Sequence, residues 1–144
     1  ARSALVEKKP GEAELRLRAA LRADAEYTEA QSLLGALCLD LQRPQEASEW
    51  LARATELDPQ DAVALANLSL ARLRLDELPA AEAAARQSLQ AYPLNARARY
   101  FLALSLLGQK KAPDEIAFHL TQASDSIPAA RRLLEELKPK PELR

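Results

Sequence analysis

Apolar residues recur along this chain at the three- and four-residue spacing of amphipathic α-helices, and strand-like alternation is missing. Prolines divide the pattern. Pro44, Pro79 and Pro113 each open an apolar-periodic stretch, where a missing N–H costs nothing in the first helical turn. Pro59 and Pro93 follow such stretches and stop them. The pattern predicts helices at 11–23, 28–41, 44–57, 62–75, 79–91, 96–108, 113–126 and 129–137.

The same two-helix unit returns every 34 residues. The segment "EASEWLARATELDP" aligns with "AAEAAARQSLQAYP", so that Ala47 matches Ala81 and Pro59 matches Pro93, each 34 positions later. Downstream, Pro93 and Pro128 are 35 positions apart, which indicates a one-residue insertion. The connections are short, so successive helices are expected to be antiparallel neighbours.

Small residues recur where paired helices must approach each other. Gly35 is expected to pack against Ala47 and Ala54. Ser69 is expected to pack against Ala81 and Ser88. Large residues fill the remaining core stripe: Leu34, Leu51, Leu57, Leu65, Leu68 and Leu89.

A 34-residue helix–turn–helix unit, with a small residue in its first helix, alanines seven apart in its second and a closing proline, resembles the tetratricopeptide repeat family. Residues 28–61 carry "LLG", "EA" and "ATELDP". The resemblance implies an all-α, right-handed solenoid of antiparallel helix pairs over residues 1–138. Its parts are a partial repeat 1–27, repeats 28–61, 62–95 and 96–129, a capping helix 129–137 and a tail 139–144. The sequence departs from the family pattern at Gln31, Cys38 and Arg72, where larger apolar or aromatic residues are common.

The resemblance implies protein–protein binding, commonly of an extended peptide or a helix, in a concave face lined by the first helix of each pair. The helical period assigns these residues to the groove: Glu29, Ser32, Ala36, Leu39, Asp40, Val63, Ala66, Asn67, Leu70, Arg74, Arg97, Tyr100, Phe101, Leu104 and Leu107. Such a groove is acidic at one end, apolar in the middle and basic at the other. The leucines admit two interpretations: an apolar floor for a ligand helix, or ordinary solenoid core.

The charge balance bears on the class of partner. Charged residues make up 28% of the chain and the net charge is -1, which does not favour nucleic acid as a partner. Asn67 and Arg97 fall on two sites of a carboxylate-binding set known in some tetratricopeptide domains, but the other members of that set are missing. A chaperone clamp is therefore not expected. Arg74 and Arg97 are either a weaker anion contact or plain solvated arginines.

The sequence contains no pattern typical of an enzyme. A single cysteine, Cys38, and a single histidine, His119, exclude an internal disulfide and any metal site built from several cysteines or histidines. His119 follows Glu115 by four residues, the spacing of a surface pair on a helix. Cys38 is expected to face the core as a small apolar group. We therefore expect neither catalysis nor a cofactor within these residues.

Four further features of the sequence bear on membrane insertion, on the origin of the chain and on its last helix. No apolar stretch approaches the roughly 20 residues of a membrane span, so direct membrane insertion is not expected. The absence of methionine, even at residue 1, indicates a fragment or a processed piece. The Ala-, Leu- and Arg-rich composition is typical of a GC-rich bacterial genome. Leu133, Leu134 and Leu137 share one side of the last helix, which suits a terminal cap or a dimer surface.

The sequence as a whole predicts a non-catalytic module that binds a peptide or helix of another protein. Two alternatives stand beside this prediction. The first is a self-association module, a homo-oligomer formed through a terminal repeat or the cap. The second is a regulatory domain cut from a larger enzyme.

Overall fold

A computed structural model of the chain describes residues 10–138. This part forms eight α-helices and no strand: α1 Pro10–Ala23, α2 Thr28–Asp40, α3 Pro44–Leu57, α4 Ala62–Arg74, α5 Leu78–Ala91, α6 Ala96–Gly108, α7 Pro113–Ala123 and α8 Pro128–Leu137. The first nine residues of the predicted partial repeat and the whole predicted tail 139–144 lie outside the described residues.

The predicted helix ends agree with the structure to within one residue, except at the end of α7. That helix was expected to reach residue 126 but ends at Ala123. A turn follows it, in which the backbone N–H groups of Ser126 and Ile127 donate to the Ala123 carbonyl at 3.1 and 2.9 Å. Apolar residues keep their helical spacing through this turn, so the sequence pattern did not indicate where α7 ends.

Two of the helices that begin a repeat, α4 and α6, start with a side-chain cap. Asp61 accepts a hydrogen bond from the Ala64 N–H at 3.0 Å, and Asn95 accepts one from the Ala98 N–H at 3.2 Å. Such caps satisfy N–H groups that have no partner within the helix. The two caps are one 34-residue period apart, so the same local device starts successive units.

The ends of α2, α4 and α6 are also set by a repeated local structure. Gln42, Asp76 and Lys110, each 34 residues from the next, have positive φ angles of 62°, 59° and 57°. The N–H of the residue after each donates to a carbonyl five residues earlier; the bond from Arg43 to Cys38 is 2.8 Å long. This is the Schellman arrangement, in which a left-handed residue ends the helix and turns the chain back.

Consecutive helices pack side by side: α2 on α3, α4 on α5 and α6 on α7, with further contacts joining each pair to the next. The two helices of the α2–α3 pair approach closely at Gly35, because a Cβ atom added there would lie 2.5 Å from Leu51 Cγ. The expected packing of Gly35 against Ala47 and Ala54 stays a prediction. The expected contact of Ser69 with Ala81 is confirmed, since the Ser69 hydroxyl donates to the Ala81 carbonyl at 2.8 Å.

The prediction of a buried core position is wrong for one residue, Leu57. Leu57 is 48% exposed, whereas Leu34, Leu51, Leu65 and Leu68 are buried and Leu89 is half-buried. Leu57 is the last residue of α3, and the chain turns away immediately after it. The helical period places Leu57 on the apolar face of α3, but no neighbouring helix extends far enough to cover the end of α3.

Ion pairs join second helices on the outer side of the solenoid. Arg86 on α5 bonds Glu82 at 2.9 Å and Glu115 on α7 at 2.8 Å, and Lys111 bonds Glu82 at 2.9 Å. Burial alone would raise the pKa of Glu82, but hydrogen bonds from Lys111, Gln109 and Arg86 lower it to about 2. This carboxylate therefore stabilises the folded chain while it is ionised.

None of the described helices combines the length and the apolar character that a membrane crossing requires.

Candidate partner-binding groove

The first helix of each pair lies on the inner side of the solenoid. Helices α2, α4 and α6 contact one another in succession, whereas the backbones of the described second helices α3, α5 and α7 stand further apart. A stack of helix pairs must curve toward the side on which its helices are closer. The surface of α2, α4 and α6 is therefore the concave one.

Of the fifteen residues that the helical period assigned to the groove, twelve are exposed or half-buried. Those that are exposed are Glu29, Asp40, Val63, Arg74 and Arg97, and those that are half-buried are Ser32, Ala36, Asn67, Leu70, Tyr100, Leu104 and Leu107. The assignment is wrong for the other three, Leu39, Ala66 and Phe101, which are buried with exposed fractions of 4, 0 and 6%. The neighbouring first helices cover these three side chains, so they belong to the core and not to the groove.

The middle of the groove has an apolar floor. Leu70, Tyr100 and Leu104 pack against a buried cluster of Ala66, Ala98 and Phe101. All three remain half-buried, so one side of each rests on the core while the other is open. One side of Leu70 and of Leu104 therefore belongs to the core, as one of the two interpretations has it, and the apolar floor for a ligand stays a prediction.

The two groove arginines form contacts between neighbouring first helices. Arg74 on α4 donates to the Leu39 carbonyl of α2 at 2.9 Å. Arg97 on α6 donates to Asn67 Oδ1 of α4 at 3.0 Å, and its guanidinium carbon lies 5.2 Å from the Phe101 ring centre. Sequence reasoning did not identify these contacts, although Arg97 lies 30 residues after Asn67, close to one repeat period. Both side chains are therefore positioned at the groove by contacts across repeats.

The predicted pair of His119 and Glu115 forms, but its placement at the surface is wrong for the histidine. This side chain is 7% exposed, and its Nδ1 lies 3.1 Å from a guanidinium nitrogen of Arg99. Its Nε2 lies 3.4 Å from a Glu115 carboxylate oxygen. Burial lowers the pKa of His119 below its usual range, although Glu115 opposes this effect. In the neutral ring Nδ1 accepts from Arg99 and Nε2–H points toward Glu115.

Cys38 is fully buried in α2, as the sequence predicted. Removal from solvent raises the pKa of its thiol to about 11. The group is therefore protonated at neutral pH and is a poor nucleophile. Among the residues that the structure describes, no group of three or more His, Cys, Asp or Glu side chains is arranged to hold a metal ion.

Comparison with known families identifies the class of the chain. Two tetratricopeptide repeat models match residues 4–73 and 67–126. The chain belongs to the tetratricopeptide repeat family. Members of this family are typically non-catalytic, and the family supports a protein-interaction module as the general class of function. A comparison with curated protein sequences finds no match.

Solved structures show the same fold. The crystal structure of MamA superposes with a TM-score of 0.83 at 23% identity, covering 92% of this chain and 78% of that chain. YrrB, a protein described as having an unusual peptide-binding site, superposes with a TM-score of 0.80 at 23% identity over 93% of this chain and 70% of that chain. The first tetratricopeptide domain of Spaghetti (RPAP3), bound to the HSP90 peptide SRMEEVD, gives 0.70 at 16% identity over 78% of this chain and 94% of that chain. These likenesses confirm an all-α helical repeat solenoid.

Proposed function

We propose that the chain is a non-catalytic module that binds a peptide or helix of a partner protein in the groove formed by α2, α4 and α6. The observation that carries this proposal is the half-buried state of Leu70, Tyr100 and Leu104 in the middle of the groove. Apolar side chains packed on one side only can bury further surface against a ligand, at roughly 25 cal/mol for each Å² removed from water. The RPAP3 domain, which has the same fold, holds a peptide.

The charges around this floor limit the polarity of the ligand. Glu29 and Asp40 are exposed on α2, at one end of the groove, and Arg97 is exposed on α6, at the other. Arg97 contacts Asn67 through one guanidinium nitrogen. Its remaining N–H groups can donate to a carboxylate, since a guanidinium has five donors. The expected ligand therefore has a basic residue near α2, apolar residues in the middle and an acidic residue near α6.

A protein ligand agrees better with the composition than a nucleic acid does. The chain has 20 basic and 21 acidic residues, and binding to a polyanion requires a surplus of basic charge. The candidates for catalytic chemistry are also unsuited to it. The Cys38 thiol is buried with a raised pKa, and both ring nitrogens of His119 lie beside other side chains.

A displayed peptide library selected on the pure chain tests the groove. Peptides enriched on the wild type are measured again on a Leu70→Asp, Leu104→Asp double variant, which places two charges on the apolar floor. The matched control is Leu15→Asp, because Leu15 is 68% exposed on α1, outside the groove. Circular dichroism first establishes that all three proteins are helical.

Peptides that bind the wild type and the control but lose at least about tenfold in affinity on the double variant support the groove, since truncation at a binding hot spot costs more than about 1 kcal/mol. Equal binding to the wild type and the double variant would show that peptides bind elsewhere and would refute the proposal.

A further inference from the structure

One edge of the solenoid exposes an apolar strip that lies outside the groove floor. Five of the nine large apolar side chains that are exposed in the described chain lie within two residues of the connections 24–27, 58–61 and 92–95. They are Tyr27, Leu57, Val63, Tyr92 and Leu94, with exposed fractions of 45, 48, 62, 52 and 78%. These connections lead from a second helix to the next first helix, so they share one edge. We call this edge, with the fourth connection 124–127, the turn edge.

Hydrogen bonds show that neighbouring connections on the turn edge lie against each other. The Asn95 side chain donates to the Ala62 carbonyl at 3.4 Å, and the Ser88 hydroxyl donates to the same carbonyl at 2.7 Å. The connection 92–95 therefore lies beside the first turn of α4, which carries Val63. The exposed apolar side chains of these two repeats therefore lie on neighbouring parts of the same edge.

The opposite edge differs in character. Its turns contain the left-handed residues and expose charged or polar side chains: Gln42, Arg43, Asp76, Glu77, Lys110 and Lys111. Within the described residues no large apolar side chain is exposed in these turns. The apolar strip is therefore a property of the turn edge alone, and a contiguous exposed patch of this kind marks an interaction surface.

The charge of the turn edge changes sign along the strip. The half around the first two connections exposes five carboxylates, Asp24, Glu26, Glu29, Glu56 and Asp58, and one guanidinium group, Arg22. In the described part of the chain, none of these carboxylates forms an ion pair. The half around the last two connections exposes Arg97 and Arg131, with one carboxylate, Asp125, and the Arg131 guanidinium donates to the Ser124 carbonyl at 3.1 Å. The apolar residues lie along both halves.

We propose that the turn edge is a self-complementary dimer interface whose occupant is a second, antiparallel copy of this chain. A two-fold axis through the middle of the strip places the acidic half of each copy on the basic half of the other. The connection 58–61 then faces 92–95 of the second copy, so that Leu57 meets Leu94. Glu26 of one copy lies on the side of Arg131 of the other.

The charge pattern favours a second copy over other occupants. A purely basic peptide would pair with the acidic half and be repelled by Arg97 and Arg131, and a purely acidic peptide would be repelled by the carboxylates of the other half. A second copy has the same reversal of sign and therefore matches both halves by symmetry. An apolar centre flanked by complementary charges also agrees with the usual composition of protein interfaces.

The oligomeric state of the pure chain tests the interface. Sedimentation equilibrium of the wild type should show a monomer–dimer equilibrium that weakens as salt is raised, because exposed charge pairs are screened. Leu94→Asp should raise the dimer dissociation constant at least about tenfold. Its matched control, Leu15→Asp, replaces a leucine of similar exposure (68% against 78%) away from the turn edge and should leave the constant unchanged. The helical circular dichroism signal verifies that each variant is folded.

A charge exchange tests the antiparallel arrangement. One chain carries Glu26→Lys, Glu29→Lys and Glu56→Lys, which reverses three of the five exposed carboxylates of the acidic half and makes both halves net basic. The other carries Arg97→Glu and Arg131→Glu, which makes both halves acidic. Each should be monomeric alone, and the two should form a heterodimer when mixed.

Three results overturn the proposal. They are a wild type that stays monomeric at its highest soluble concentration, a dimer that survives Leu94→Asp, and a mixture of the two charge variants that stays monomeric. Leu57 and Leu94 are not groove residues, so Leu94→Asp tests the dimer separately from ligand binding in the groove, whereas Glu29, Val63 and Arg97 belong to both surfaces.

Discussion

Replacing Gly35 with alanine should destabilise the chain, although alanine is the better helix former. A Cβ atom at this position would lie 2.5 Å from Leu51 Cγ and 2.9 and 3.3 Å from its two methyl carbons. Carbon atoms in van der Waals contact are about 3.5–4.0 Å apart, so Leu51 would have to move by roughly 1 Å. Leu51 is 0% exposed and has no free space to enter. Such overpacking costs about 1–3 kcal/mol, against a gain of about 1 kcal/mol in helix propensity.

We therefore expect Gly35→Ala to lower the free energy of unfolding by up to about 2 kcal/mol, or the melting temperature by up to roughly 8 °C. Gly108→Ala is the matched control. Its new Cβ atom would lie 2.7 Å from a terminal methyl of Leu78, a half-buried side chain that can rotate away. Gly11→Ala is a second control, because no atom lies within 4 Å of the new Cβ atom. Neither control should lose stability by more than about 0.5 kcal/mol.

The assay is urea unfolding followed by circular dichroism, with unchanged m-values as evidence that only stability differs. A double-mutant cycle makes the test specific to the Gly35–Leu51 contact. Leu51→Ala alone should cost about 2–5 kcal/mol, and Gly35→Ala should cost less in that background, because the clashing atoms have been removed. A Gly35→Ala protein at least as stable as the wild type would refute the packing argument, as would equal costs in the two backgrounds.

Three further predictions concern stability. Glu82→Gln should lower the free energy of unfolding at neutral pH by about 2–3 kcal/mol, since a pKa lowered from 4.5 to about 2 corresponds to ~3 kcal/mol. The difference from the wild type should shrink as pH falls below 4.5, and a constant difference in urea titrations would contradict this. His119 has a lowered pKa in the folded chain, so stability should be complete above pH 6.5 and should fall below it as the unfolded chain takes up the proton. His119→Gln should flatten the urea midpoint between about pH 6.5 and 5, and an unchanged slope would argue against burial of the neutral ring. Gln42→Gly should raise the free energy of unfolding by about 0.5–1 kcal/mol, because glycine adopts the positive φ of 62° without strain. A loss of stability in thermal unfolding would show that the turn depends on the glutamine.

The sequence alone determined the helices and their order, because the forces that set them are local. Proline positions, side-chain caps and the spacing of apolar residues act within a few residues of chain. Seven of the eight predicted helices match the structure to within one residue at both ends. The exception was the end of α7. There the polar residues Ser124 and Ser126 can hydrogen-bond their own backbone, so a helix and a turn compete closely.

The candidate groove could be predicted in part. The helical period placed fifteen residues on the groove side of α2, α4 and α6, and twelve of them are exposed or half-buried. The other three, Leu39, Ala66 and Phe101, are buried. A helical face says which side chains point together within one helix. It does not say how far the next helix extends across that face.

Only the tertiary structure decided which polar side chains of neighbouring repeats contact each other and which helix ends remain exposed. The bond between Arg97 and Asn67 and the burial of His119 beside Arg99 depend on the distance and angle between helix pairs. Leu57 illustrates the opposite outcome: its side of the helix is apolar, yet it is 48% exposed because no helix lies over it. Local sequence sets the direction of each side chain, whereas its burial depends on contacts between residues about one repeat apart, which a pattern within one helix does not record.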